Sequence, residues 1–567
     1  MSDPISIRDV DLTPIPGKPY FSIDREWREE FIYFLMVDRF QDAFSHPVTG
    51  VTGRTAGVDT PDAFFGGKIA GITNNLDYIA GLGCTAIWLS PIFECNSYYG
   101  YDINNYLNID PRFGTKKDLV DLVQAAHSYT RNGEPFPIRI ILDVVINHSG
   151  DNWFYPGDVP FRYFNGQRFG FGGFRRPDRP IPTELRNPDW YHRRGEIQNY
   201  DTSPENQLGD IASLKDYAND DDQIGSDVIN TLIAAHAYWI READIDGFRV
   251  DAVKHMGELA CSRFCSNIRE YAYSLGKRGF FLFGEAASPS DDLYNRYIGQ
   301  NTSSSDGNNT VFFGLDSVLD FRLAEGVFGD VNNAPLRDVL TGAVGPQTLF
   351  NRLEAQRNRA LNRGEIGRYL VTFVDNHDSF WQPKGRFPAV ASDDQVIAGT
   401  GFLLCALGTP CIYYGDEQGL AGAGGDNQLR QALFDPVGNR SLLNTQCRIY
   451  QEIAKIADIM RTQEPLRFGR MYYRQISGNG LQFGFPFGSI YTLAFSRILY
   501  PNEVLIAYNV SSSPRQDSVV VDATLHPDPS SMTYLYGGTG TVPVQSGPDG
   551  ARFVKIPLAP HQFVILH

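Results

Sequence analysis

The sequence predicts an α/β chain built on a (β/α)8 TIM barrel, with a loop-rich domain inserted after the third strand and an antiparallel β domain at the C-terminal end. Three observations predict it. Eight short, nearly continuous apolar runs do not alternate in hydropathy, as strands buried on both faces should not. Helical stretches separate them, the arrangement that a parallel sheet requires. From about Met471 the texture changes to short alternating strands divided by Gly, Pro, Ser and Asn turns.

The eight runs are Ile32–Val37, Thr85–Leu89, Ile138–Val145, Ile245–Val250, Gly279–Phe283, Ser317–Phe321, Tyr369–Val374 and Pro410–Tyr414. A chain of 567 residues exceeds what one core usually serves. The expected division is therefore a barrel from 1–147 and 208–470, an inserted domain over 148–207, and a C-terminal β-sandwich over 471–567. The insertion carries Phe169-Gly-Phe-Gly-Gly-Phe174 and little periodicity, so it reads as irregular structure over one face of the barrel. The tract Asn301–Asn309 reads as an exposed loop. In the last part, Ser489–Phe495, Glu503–Ala507, Ser518–Val521 and Phe553–Ile556 read as strands.

Composition narrows the partners. A net charge of −16 and a pI near 5.1 argue against nucleic acid and against an anionic membrane surface. No stretch approaches the length of a membrane span, and Met1 to Gly17 lacks an apolar core flanked by positive charge. A cytoplasmic location is the expectation, with an exported form whose leader has been removed as the alternative. Seven cysteines with no CxxC read as buried free thiols in a reducing compartment. The aromatic share of 13 % suits both cores and the apolar faces of sugar rings.

In such a barrel, polar residues that close the apolar runs converge on one face. Asp251 ends Asp246-Gly-Phe-Arg-Val-Asp251, and Glu285 ends Gly279-Phe-Phe-Leu-Phe-Gly-Glu285. Two acids at neighbouring strand ends are what double displacement at a sugar acetal needs. Arg249, two residues before Asp251 and on the same side of the strand, is expected to hold it ionised with a low pKa, ready as nucleophile. Phe280, Phe281 and Phe283 are expected to raise the pKa of Glu285 and keep it protonated as the acid. Asp378, beside His377, could grip sugar hydroxyls and stabilise an oxocarbenium-like transition state.

Asp143-Val-Val-Ile-Asn-His148, Gly247-Phe-Arg-Val-Asp-Ala-Val-Lys-His255, Phe283-Gly-Glu285 and Phe373-Val-Asp-Asn-His-Asp378 occur in this order. They resemble the four sequence regions of the α-amylase family of glycoside hydrolases. Gly83-Cys-Thr-Ala-Ile-Trp-Leu-Ser-Pro91, Tyr99-Gly-Tyr101-Asp102, Leu208-Gly-Asp210-Ile and Gly408-Thr-Pro-Cys-Ile-Tyr-Tyr-Gly-Asp-Glu417 strengthen the resemblance. It implies Asp251 as nucleophile, Glu285 as acid/base and Asp378 as the third acid. It further implies that Tyr101 stacks on the sugar before the scissile bond, and that His148, Arg249 and His377 contact substrate or orient the acids. Lys254 and His255 would line the leaving-group side.

The resemblance also implies a structural calcium held by Asn147, Asp210 and the backbone carbonyl of His255, oxygen donors that suit a hard cation. A further ligand is expected from the insertion, with Asp151, Asp158, Asp178 and Asp201 as candidates. Within the family, Lys254-His255 resembles α-amylases and cyclodextrin glucanotransferases, and Tyr98 stands where pocket-closing relatives tend to carry Asp. The expectation is thus a retaining hydrolase of internal α-1,4 bonds in starch, glycogen or maltodextrins. The alternatives are an α-1,4-glucan transglycosylase and, remotely, a non-catalytic glucan-binding relative, although such relatives lose the acids that this chain retains.

Overall fold

The eight apolar runs form one parallel sheet in the computed structural model. It describes all of the chain except residues 1–2, 50–53, 55, 221, 289, 300–301, 304–310, 313, 328–329, 359–369, 380–383 and 423. The strands are β1 Ile32–Leu35, β2 Ala86–Leu89, β3 Arg139–Val144, β4 Gly247–Val250, β5 Phe281–Gly284, β6 Ser317–Val318, β7 Val371–Thr372 and β8 Thr409–Tyr413. Each pairs with its sequence neighbour, β8 returns to β1, and a Leu319–Val371 bridge joins β6 to β7, so the sheet closes into a barrel. The strands are buried throughout, which explains why none of them alternates.

Some ends differ from expectation. The run Ser317–Phe321 is strand only to Val318, because the Asp320 carboxylate accepts from the Leu323 N–H at 3.1 Å and starts a helix at Phe321. Tyr369 and most of the Asn301–Asn309 tract lie outside the described residues.

Helices α1 Lys116–His127, α2 Gln223–Ala243, α3 Glu258–Ser274, α4 Asp393–Cys405 and α5 Arg448–Thr462 surround the barrel. Thr115 and Ser392 open α1 and α4 with capping boxes. No helix among the described residues is long and apolar enough to cross a membrane. All seven cysteines are free and buried.

Between β3 and α2 the chain runs through two-residue strands, short 3-10 turns and one helical turn, Glu205–Leu208, as its lack of periodicity predicts. It is nevertheless packed. Trp153 and Tyr191 are fully buried at 5.6 Å between ring centres, and the Phe161 and Phe169 rings stack at 4.4 Å. The pairing of His148–Ser149 with Lys215–Asp216 ties the start of this insertion to its exit. Beyond residue 470, nine antiparallel strands make a second sheet with its own apolar cluster.

Candidate active site

The carboxyl ends of β3, β4 and β5 carry one buried charge network. β4 lies between the other two in register, with Arg249 opposite Asp143 on β3 and Phe283 on β5. Arg249 Nη1 donates to both Asp143 oxygens at 2.8 and 3.0 Å and to Asp251 Oδ1 at 2.7 Å, while Nη2 stands 3.1 Å from Glu285 Oε2. One guanidinium is therefore shared by three acids. Tyr101 Oη and Trp88 Nε1 also donate to Asp143 Oδ2, at 2.8 and 3.1 Å.

Asp251 and Glu285 are thus held by the two terminal nitrogens of one guanidinium, and the Ala252 N–H donates to Glu285 Oε2 at 3.2 Å. Ala252 holds a φ of +51°, a left-handed conformation that a non-glycine residue adopts only when its surroundings enforce it. At Gly284 a Cβ would meet Leu315 Cδ1 at 2.4 Å and Val253 Cγ2 at 3.0 Å, so a larger residue there would displace the Leu315 side chain.

Burial raises Glu285 to about 7, against the pull of Arg249 and with the charges of Asp251 and Asp378 adding to the rise. The expected elevation is found, but its source is burial and neighbouring acids. The phenylalanines lie further down: Phe281 stacks on Trp27 and Phe280 packs on Phe248. Asp251 departs from expectation, since burial pushes it up to about 6 even though Arg249 pulls it down, and Asp143 adds to the rise. Asp378 does have a low value. Burial would raise it, but His377 at 3.3 Å and Arg430, which donates to Asp378 Oδ1 at 2.5 Å, bring it to about 2.

A cleft of about 1120 Å³ gathers Tyr101, His148, Asp251, Lys254, His255, Glu285 and Asp378. His148 Nε2 lies 3.9 Å from Asp251, and the Tyr101 and His377 rings stack at 5.3 Å. Burial lowers both His148 and His377 to about 3, so both rings are neutral; His148 lines the cleft, and His377 touches it through its stack on Tyr101. Tyr99 lines the cleft. Asp102, by contrast, is spent locally on the Ser97 hydroxyl and N–H, at 2.5 and 3.1 Å.

Sequence reasoning gave no role to Asp143 or Arg430. Asp143 was findable, because a carboxylate inside the apolar run Arg139-Ile-Ile-Leu-Asp-Val144 needs a buried counter-charge, and the next strand supplies Arg249. Arg430 carried no such signal, lying in a loop that the chain brings back over the barrel.

The side-chain donors of the expected calcium site are only partly engaged within the protein. Asn147 Oδ1 is buried with no hydrogen-bond partner, while its Nδ2 donates to Asp216 Oδ1 at 3.2 Å. Asp210 is buried, accepts from the Asp216 N–H at 3.1 Å and from Tyr155 Oη at 2.8 Å, and has Lys215 Nζ at 3.7 Å. Among the described residues no three His, Cys, Asp or Glu side chains gather as ligands. The orphaned amide oxygen beside a buried carboxylate still fits a hard cation held by mixed oxygen donors.

The four aspartates offered as further ligands are instead all ion-paired. Asp151 binds Arg175 at 2.8 Å and Lys215 at 3.3 Å, Asp158 binds Arg175 at 2.9 Å, Asp178 binds Arg179 at 2.8 Å, and Asp201 binds Lys254 at 2.6 Å. Among the described residues of the insertion, two buried side-chain oxygens near this junction lack a hydrogen-bond partner, Asn206 Oδ1 and Asp151 Oδ1, the latter 3.3 Å from Lys215 Nζ. The Asn206 backbone carbonyl lies 2.7 Å from His255 Nδ1.

Fold and site together define a closed parallel barrel with an acid-lined cleft at the carboxyl ends of its strands. The chain belongs to the alpha-amylase family, whose catalytic-domain model matches residues 34–462. An alpha-amylase of Streptomyces lividans is 26 % identical over 94 % of this chain and 60 % of its own length. A cyclomaltodextrin glucanotransferase of Klebsiella oxytoca is 26 % identical over 78 % of this chain and 66 % of its own. The chain thus spans about 60 to 66 % of the length of these two curated relatives. A solved cyclomaltodextrin glucanotransferase with a three-domain arrangement superposes with a TM-score of 0.66 at 25 % identity, over 94 % of this chain and 98 % of that one.

Proposed function

We propose that the chain is a retaining glycoside hydrolase that cleaves α-1,4-glucosidic bonds of starch, glycogen or maltodextrins. The observation that carries this reading is that Asp251 and Glu285 share the Arg249 guanidinium, at 2.7 and 3.1 Å. Carboxyl groups gathered on one guanidinium match the short separation of a retaining pair, about 5–5.5 Å, rather than the gap of about 6.5–9.5 Å that an inverting pair keeps for water.

Asp251 attacks the anomeric carbon as Glu285 gives its proton to the departing glycosidic oxygen. The C–O bond breaks, and a glycosyl ester forms on Asp251. Glu285, now ionised, takes a proton from water, whose oxygen displaces Asp251 and regenerates both acids. Arg249 offsets the charge on Asp251 throughout. Asp378, ionised beside Arg430, accepts from sugar hydroxyls as positive charge develops on the ring. Tyr101, His148 and His377 shape the subsite before the scissile bond.

The names of the relatives support both hydrolysis and transfer. A glucan transferase reading draws on the glucanotransferases among them and on Lys254-His255 at the acceptor side. A calcium ion belongs to the same proposal: Asn147, Asp210 and the His255 carbonyl would hold it, Asn206 would add an oxygen from the insertion, and its charge would fasten that insertion to the barrel.

Incubation with a defined maltooligosaccharide, followed by chromatography of the products, tests the reading. Shorter α-linked products are expected, and longer ones as well if transfer competes. Glucan binding without turnover by the intact chain would overturn it.

A further inference from the structure

The two polar residues that follow the nucleophile are both held from the insertion. Lys254 Nζ donates to Asp201 Oδ1 at 2.6 Å and to the Ala287 carbonyl at 3.0 Å. An ammonium has three N–H bonds, so one is left for a ligand. His255 Nδ1 lies 2.7 Å from the Asn206 carbonyl. A carbonyl only accepts, so Nδ1 carries a proton and donates, and the ring is oriented from the insertion. The Tyr200 ring stands edge-on to His255 at 5.7 Å.

The Asp201 side chain is 81 % exposed and the Lys254 side chain 10 % exposed, and both line the same cleft as Glu285. A pair with one partner this open to water contributes little to stability, roughly 0–1 kcal/mol. Its consequence is orientation. It draws the ammonium toward the insertion and across the carbonyl two residues beyond Glu285.

Building on the reading above, we propose that Asp201 is a positioning residue that sets specificity on the leaving-group side. By fixing Lys254 against Ala287, it presents the remaining N–H to sugar units beyond the scissile bond. Substrates with glucose units there should therefore depend on it, and substrates without them should not.

Asp201→Asn, Asp201→Ala and Asp201→Glu are compared on maltoheptaose and on α-maltotriosyl fluoride, whose leaving group is a single atom. On maltoheptaose the Asn and Ala variants should lose about tenfold in kcat/KM, mainly through KM, the scale of one lost charge-assisted contact. The loss on the fluoride should be several-fold smaller, and Asp201→Glu should recover most of the maltoheptaose rate. Equal losses on both substrates, or no loss on either, would overturn the role of Asp201. Absence of wild-type turnover on both substrates would instead overturn the glycosidase reading on which it rests.

Discussion

At the scale of the residue, the chemistry depends on how one buried cation is shared. Asp143 and Asp251 rise to about 6 and Glu285 to about 7 because burial outweighs Arg249, so at neutral pH the group is poised between protonation states. The kcat/KM profile is expected to be a bell with limbs near 6 and 7, values that belong to the interacting set. Asp251→Asn and Glu285→Gln should each lower kcat by on the order of 10²–10⁴ or more with the fold retained, and Glu285→Gln should also remove the alkaline limb. Wild-type turnover in either variant would refute its role as nucleophile or acid. Stability tests the same residue independently. Ionised Glu285 is disfavoured in the folded chain, so its cost is absent below the ordinary value of 4.5, grows as pH rises, and is complete above about 7. Glu285→Gln should accordingly melt above wild type at pH 8 and level with it near pH 4.5. An equal difference at both pH values would show that the shift has another cause.

At the scale of the element, the strands were legible and their junctions were not. Nearly continuous apolar runs announced all eight barrel strands, because burial on both faces leaves a strand few polar positions, and charges inside them such as Asp143 and Arg249 must pair with each other. The acids at their ends were legible for the same reason. Asp201 could not be recognised as the partner of Lys254, because its place follows from how some fifty loop residues pack, and no periodicity records that. The aromatic cluster of the insertion supplies the packing. Trp153→Ala should destabilise the chain by about 3–5 kcal/mol, with denaturant melts as the measure, and a loss under 1 kcal/mol would make the cluster incidental. The junction of β3 with the insertion gives a further expectation. If the orphaned Asn147 oxygen and Asp210 hold calcium, a chelator should lower the melting temperature of wild type but not of the Asn147→Ala/Asp210→Asn double variant. An unmoved wild-type midpoint would remove calcium from the proposal.

For the whole molecule, the question is whether the barrel and the C-terminal sheet behave as one unit. The sequence showed two textures on either side of Met471 but nothing of how they meet: Leu493, Phe495, Ile506 and Phe563 of the sheet pack into the same apolar core as the barrel, and a few polar side chains reach across it. Arg497, buried on the strand Thr492–Leu499, donates to the Cys405 carbonyl at 2.8 Å, to Ala406, and from Nη2 to the Gly469 carbonyl at 3.0 Å. It therefore caps the carbonyl end of α4, where a cation also meets the negative end of the helix dipole. Tyr491 and Tyr508 donate to Val339 and Leu340, each at 2.9 Å. Arg497→Met would leave buried carbonyls without donors, at a cost of about 1–3 kcal/mol for each group left unsatisfied. Because the Cys405 and Ala406 carbonyls close a barrel helix, the loss should fall on the barrel as much as on the sheet. The variant should show a single transition at lower temperature, with far-ultraviolet dichroism and loss of hydrolytic activity coinciding. A curve that splits, with activity surviving the first step, would mean that the sheet is a separable appendage.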